Sequence, residues 1–160
     1  MKFISKNLQD TKKIAKAFYN SLNDNGLFVT LTGDIGAGKT QFVRNVLEYM
    51  DVNEKVTSPS FVILNEYKSK KMPIYHFDLY RLEEKGLKSV VSELREYSKK
   101  GVLTFIEWAD FAHNEIPKNS LKINVSYDEN DIDKRIFEFS AFENESIEFL
   151  NKFEKEMEKL

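Results

Sequence analysis

Apolar residues recur at helical spacing in three parts of the chain. In residues 8–22 the apolar positions share one side, and an Asn-Gly pair follows the predicted end. In residues 39–50, KTQFVRNVLEYM, they also lie on one face. The tail 145–160 has the spacing of an amphipathic helix that closes the core. A further helix is expected over about residues 88–98.

Shorter apolar runs between these stretches predict strands. LFVTLT (27–32) and VLTFIEW (102–108) are typical of buried strands. The runs 61–67 and 74–80 are joined by KSKKMP, which is too short for a crossover helix, so they should pair antiparallel. A second hairpin is expected where SLKINVSY and KRIFEFSA flank a polar turn. We therefore predict one α/β domain over residues 1–160, with a P-loop NTPase-like fold and a mixed parallel and antiparallel sheet flanked by helices.

The stretch GDIGAGKT lies between the first predicted buried strand and the second helix. It matches the phosphate-binding pattern G-x-x-x-x-G-K-T, and strand, glycine-rich loop and helix are the context which that pattern requires. Its glycines allow backbone N–H groups to turn toward anionic oxygens, and the helix adds its positive end. The predicted nucleotide-binding residues are Gly33, Asp34, Ile35, Gly36, Ala37, Gly38, Lys39 and Thr40.

This loop predicts ATP and Mg²⁺ as cofactors. Lys39 should reach the β- and γ-phosphates, and the Thr40 hydroxyl should ligate the metal. Glu107 ends an apolar strand in the manner of a Walker B acid, and Asp78 lies near the end of another strand. Ligands gather at the carboxyl ends of strands in open α/β sheets, so both acids are candidates for the metal and for catalysis. Which of them ligates Mg²⁺ and which orients water stays open, and the alternative for either is an ordinary solvated or salt-bridged carboxylate.

Four further features are weaker candidates. His76 and Arg81 suggest a base and an arginine finger, although a structural role is favoured for His76 and an ion pair with a nearby glutamate is open to Arg81. Trp108 should point away from the face of Glu107, either into the core or near the nucleotide. The connector TSPSF (57–61) stands where switch-type NTPases sense the γ-phosphate, or it is a plain turn.

Composition narrows the function classes. The chain has no cysteine, which excludes a disulfide scaffold, a zinc ribbon and a thiol nucleophile. Its formal net charge is −2 and its basic residues are dispersed, so any nucleic acid should be held by another protein. The first residues lack the apolar core of a signal peptide and no run approaches a membrane span, so we expect a cytoplasmic location and no membrane partner.

Taken together, the motifs resemble the TsaE (formerly YjeE) family. The matching segments, in order, are GDIGAGKT, TSPSF, NEY, YHFDLYRL and FIEWAD. The order HFDLYR followed by IEW is far more specific than a phosphate loop alone. The resemblance implies a small cytoplasmic ATPase that supports the partner proteins TsaB and TsaD. These partners transfer a threonylcarbamoyl group to adenosine 37 of tRNA, so the ATPase would meet tRNA only indirectly.

The resemblance also implies roles for residues. The loop would bind ATP, Thr40 and Glu107 would serve Mg²⁺, and Asp78 would serve hydrolysis. Thr11 falls near the nucleotide, and so would Ser60 and Trp108. The chain departs from the family pattern at three positions, where Ser60 and Gln41 replace threonines and Glu93 replaces a glycine.

Three other functions are compatible with a phosphate loop. A small-molecule kinase usually has an arginine-bearing lid, and no Arg-rich insertion is found. A GTPase usually carries N-K-x-D after a strand, whereas the nearest match, NKFE (151–154), falls in the predicted tail helix and is expected at the surface. A structural subunit that binds nucleotide without hydrolysis is disfavoured by the complete set of candidate residues.

Overall fold

The computed structural model describes residues 1–54, 64–79, 94, 96–108, 114 and 116–160. The described strands are β1 Lys2–Ser5, β2 Gly26–Gly33, β3 Leu64–Lys68, β4 Pro73–Asp78, β5 Val102–Glu107, β6 Leu121–Tyr127 and β7 Arg135–Ala141. The described helices are α1 Leu8–Ser21, α2 Lys39–Tyr49 and α3 Asn144–Met157, with a 3₁₀ turn at Glu96–Ser98. All these strands belong to one sheet.

The sheet is mixed, as predicted, and its strand order is β1-β7-β6-β2-β5-β4-β3. Strand β2 runs parallel to both β5 and β6, and β4 runs parallel to β5. Both predicted hairpins are confirmed, because β3 pairs antiparallel with β4 and β6 pairs antiparallel with β7. The carboxyl ends of the three parallel neighbours β2, β4 and β5 therefore meet at one edge of the sheet.

The structure adds one strand to those predicted, and parts of three predicted elements lie outside the described residues. Strand β1 was not predicted; only four residues long, it forms one edge of the sheet and pairs antiparallel with β7, with Phe3 opposite Phe137. Most of the helix expected over 88–98 lies outside the described residues; Leu94 is helical, and the chain then forms the 3₁₀ turn. The segments 61–63 and Tyr80, at the ends of predicted strands, also lie outside the described residues.

Helices cover one face of the sheet with an aromatic core. Phe18 of α1 contacts Phe42 of α2 with ring centroids 5.4 Å apart, and Phe149 of α3 at 4.9 Å. The same ring approaches Phe105 of β5 at 5.9 Å. NKFE belongs to α3 and is largely exposed as expected, except that Phe153 is buried in this core.

A second apolar cluster lies on the other face of the central strands, around Phe28, Phe77 and Ile106. Burial on both faces holds β2, β4 and β5 firmly, so residues at their carboxyl ends stand on rigid supports. No helix in the described part of the chain is long and apolar enough to cross a membrane.

Candidate functional site

Backbone geometry explains two glycines of the loop between β2 and α2. Gly33 has φ +113°, and a Cβ there would lie 2.0 Å from the carbonyl oxygen of Val125. Gly38, with φ +108°, caps α2, and its carbonyl accepts the N–H of Phe42 at 2.9 Å. Both positions have left-handed φ values that other residues rarely adopt. The glycines thus fix a turn that brings the loop over the start of α2.

Strand β6 anchors the tip of the loop. The Asp34 carboxylate accepts the backbone N–H of Tyr127 at 3.1 Å, and the Tyr127 hydroxyl donates to the Ile35 carbonyl at 3.3 Å. The guanidinium of Arg135 stacks over the Tyr127 ring at 4.3 Å. Tyr127 and Arg135 were not predicted, because they become neighbours of the loop only through the placement of β6 and β7. Asp34, itself part of the loop, therefore fastens the loop to β6 through its side chain.

Lys39 folds back over the loop. Its Nζ donates to the carbonyls of Gly33 at 3.0 Å and Asp34 at 2.7 Å, and it lies 4.3 Å from the centre of the Trp108 ring. The residue is only 5% exposed, so its side chain is packed within the loop. Burial lowers the pKa of this lysine below its usual 10.5, and the carboxylates of Glu107, Asp34 and Asp78 oppose that shift without cancelling it.

The two predicted acids lie side by side at the sheet edge. Asp78 and Glu107 are opposite each other in the parallel register of β4 and β5. The Thr40 hydroxyl donates to Oε1 of Glu107 at 3.2 Å. Lys39, Thr40, both acids and Trp108 line one cavity of about 280 Å³. Residues from three separate parts of the sequence thus converge on the mouth of the phosphate loop.

Trp108 departs from simple strand alternation. Its φ is +63°, a left-handed value at the first residue after β5, and its N–H donates to the Leu31 carbonyl at 3.0 Å. The prediction that it points away from Glu107 is therefore only half correct. The ring packs against the second apolar cluster, and it also lines the cavity beside Glu107. A positive φ is uncommon in a bulky residue because it costs free energy. Residues strained in this way are typical of functional sites.

His76 is fully buried beside these acids. Its Nε2 lies 2.7 Å from Oε2 of Glu107. Its Nδ1 is also buried and has no hydrogen-bond partner among the described residues. The sequence favoured a structural role for His76. The structure adds its hydrogen-bond partner, Glu107, which the sequence did not identify.

A second cavity, of about 700 Å³, lies on the other side of the loop. Gly36, Gly38 and Gln41 line both cavities. Thr11 lines the second cavity, as does Arg135, and the Thr11 hydroxyl is 2.7 Å from that of Ser5. The loop therefore separates a small acid-lined space from a larger one.

Some predicted residues cannot be placed. Ser60 and the whole TSPSF connector, Arg81 and Glu93 lie outside the described residues. Within the described ranges, no three His, Asp or Glu side chains form a ready-made metal cage. Thr40 and Glu107 could still hold Mg²⁺, because this ion is usually bound by one or two protein ligands together with phosphates and water.

Comparison with known proteins assigns the chain to a family. Residues 5–137 match the family model described as threonylcarbamoyl adenosine biosynthesis protein TsaE. The chain belongs to the TsaE family. The family has a role in tRNA threonylcarbamoyladenosine biosynthesis, and the resemblance seen in the motifs is thereby confirmed.

Individual relatives agree with this assignment. The tRNA threonylcarbamoyladenosine biosynthesis protein TsaE of Rickettsia bellii is 37% identical over 80% of this chain and 86% of the relative. The protein of the same name from Bacillus subtilis is 34% identical over 78% of this chain and 77% of the relative. The crystal structure of Bacillus subtilis YdiB has a TM-score of 0.77 at 28% identity, covering 97% of this chain and 94% of YdiB. The similarity confirms the predicted P-loop NTPase-like fold.

Proposed function

We propose that the protein is an ATPase that uses Mg²⁺ and supports a TsaB–TsaD complex in the threonylcarbamoylation of tRNA. The observation that carries this proposal is the convergence of Lys39, Thr40, Asp78 and Glu107 on one cavity at the phosphate loop. A cation, a hydroxyl and two carboxylates are the groups that phosphoryl transfer to water requires. Family membership supports the process, and a tRNA-modifying role favours a cytoplasmic location.

The two cavities suggest how ATP would be oriented. The phosphates would lie along the loop above the smaller cavity, where Lys39 can exchange its bonds to two loop carbonyls for bonds to phosphate oxygens. The nucleoside would enter the larger cavity, beside Thr11 and Arg135. Because Gly36 and Gly38 line both spaces, one ligand can span them across the loop.

The acids would divide the remaining work. Thr40 and Glu107 already share a hydrogen bond, and opening it would leave two oxygen ligands facing the same point. Mg²⁺ bound there would neutralise charge on the phosphates. Asp78, opposite Glu107 at the end of β4, would orient or deprotonate the attacking water.

The isolated protein should hydrolyse ATP slowly, and TsaB–TsaD should accelerate it by at least about tenfold. Among the described residues, Lys39 is the cationic side chain that lines the smaller cavity, where the phosphates would lie. An added arginine can be worth about 10³-fold or more in phosphoryl transfer, which leaves room for a partner to contribute. Phosphate release with and without partners, followed together with tRNA modification, measures the effect.

The same experiment separates the rival functions. Fast hydrolysis that partners do not change would contradict partner activation. Transfer of phosphate to a small acceptor would indicate a kinase. Nucleotide binding and tRNA modification without phosphate release would indicate a structural subunit that needs only the bound nucleotide.

ATP affinity should fall as the pH rises into the alkaline range. The fall should begin below pH 10.5, the usual pKa of a lysine. Burial lowers the pKa of Lys39, so the free protein loses this positive charge earlier than an ordinary lysine as the pH rises. Bound phosphate would favour the charged form, and binding in this range should therefore take up protons. Calorimetric titration in buffers of different ionisation enthalpy measures both quantities. Lys39→Arg is the matched control, since its charge persists; an equal fall in both proteins would contradict the prediction.

A further inference from the structure

The buried pair His76–Glu107 has a feature that the proposed reaction does not use. A carboxylate oxygen can only accept, so His76 Nε2–H donates the 2.7 Å hydrogen bond to Oε2 of Glu107. The other oxygen of the same carboxylate accepts from Thr40 at 3.2 Å. Glu107 is thus held between a core imidazole and the Thr40 hydroxyl in the first turn of α2.

The strand register explains how His76 reaches this carboxylate. His76 on β4 is opposite Phe105 on β5, and Glu107 follows two residues later on the same face. Such a diagonal neighbour lies within reach of a long side chain. His76 is 0% exposed and Glu107 3%, so water does not compete for the N–H of His76. Their hydrogen bond therefore restricts a side chain that would otherwise sample several rotamers.

We propose that His76 is a positioning residue that holds Glu107 in the orientation that serves Thr40 and the metal. This inference rests on the proposed function, in which Glu107 and Thr40 serve Mg²⁺. A side chain that hydrogen-bonds to a metal ligand fixes the geometry of that ligand, and its loss typically costs about 10–100-fold in metal affinity or activity. His76 would thus set the strength of Mg²⁺-dependent nucleotide binding without contacting the nucleotide.

A histidine with a purely structural role would behave differently. It would contribute to the free energy of unfolding, and its replacement would change nucleotide affinity to the same extent with or without metal. A positioning residue instead changes the ratio of the two affinities. It also responds to where a replacement places its donor N–H, which a packing role does not require.

Three variants separate these roles. His76→Leu keeps apolar volume and removes the donor. His76→Gln can place an amide N–H near the position of Nε2, whereas His76→Asn places it nearer Nδ1. A non-hydrolysable ATP analogue is titrated by calorimetry, with Mg²⁺ and with chelator, and thermal unfolding of each variant is measured.

In wild type the analogue should bind more tightly with Mg²⁺ than with chelator. His76→Leu and His76→Asn should lose about tenfold of this advantage and keep their affinity in chelator, and His76→Gln should recover most of it. Equal Mg²⁺ advantages in all variants, or equal losses in Gln and Asn, would overturn the inference. If the Leu variant does not fold, the Gln–Asn pair still decides. A wild type without any Mg²⁺ advantage would instead contradict the proposed metal role.

Discussion

Lys39→Ala and Lys39→Met should each abolish productive ATP use. The Lys39 ammonium is the charge that would face the β- and γ-phosphates, and it lies within the loop at 3.0 Å and 2.7 Å from two of its carbonyls. Removing a preorganised donor of this kind typically costs about 10²–10³-fold in rate. Single-turnover hydrolysis and calorimetric affinity for the ATP analogue measure the loss.

The fold should survive both substitutions. Burial of the ammonium carries a desolvation cost, which lowers its pKa. Replacing Lys39 therefore removes this unfavourable contribution to the stability of the fold together with two hydrogen bonds. Methionine retains the buried stem, and a comparison with alanine isolates the packing contribution. Lys152→Met, at an exposed position of α3, is the control for loss of a surface charge. Normal hydrolysis by a folded Lys39→Met protein would contradict the phosphate-loop assignment.

Local sequence patterns were sufficient for much of the fold. Strand β2, the glycine-rich loop and α2 follow one another directly along the chain. The hydrophobic periods of the strand and the helix, and the left-handed glycines between them, all predict this same arrangement. The short connection between β3 and β4 dictated antiparallel pairing. Local patterns also allowed Asp78 and Glu107 to be predicted as candidate site residues, because each ends a recognisable strand.

What the sequence could not supply are contacts set by strand order. Tyr127 donates to Ile35 across 92 residues, and nothing in the spacing of β6 indicates that it lies beside β2. His76 meets Glu107 only because β4 and β5 are parallel neighbours in a particular register. The position of Trp108 depends on one left-handed residue, which a strand pattern does not reveal. Alternation gives the face of a side chain but not its partner.

Glu107→Gln and Asp78→Asn should damage different steps. The Glu107 carboxylate accepts from Thr40 and from His76, and it is almost completely buried. Gln retains one acceptor oxygen and loses the negative charge, so it should weaken the Mg²⁺ dependence of ATP binding. Asp78, less buried at the end of β4, would act on water. Asp78→Asn should leave binding nearly intact and reduce hydrolysis by about 10²-fold or more if the carboxylate is a base.

ATP affinity across a Mg²⁺ titration, together with single-turnover hydrolysis, distinguishes the two acids. Glu138→Gln, at an exposed position of β7, controls for the loss of one negative charge elsewhere on the protein. If Asp78→Asn loses Mg²⁺-dependent binding while Glu107→Gln loses only hydrolysis, the proposed roles are exchanged. If neither variant differs from Glu138→Gln, both acids are structural. The hydrogen bond between Thr40 and Glu107 would then close the end of the loop, and the metal would have to be held by other residues.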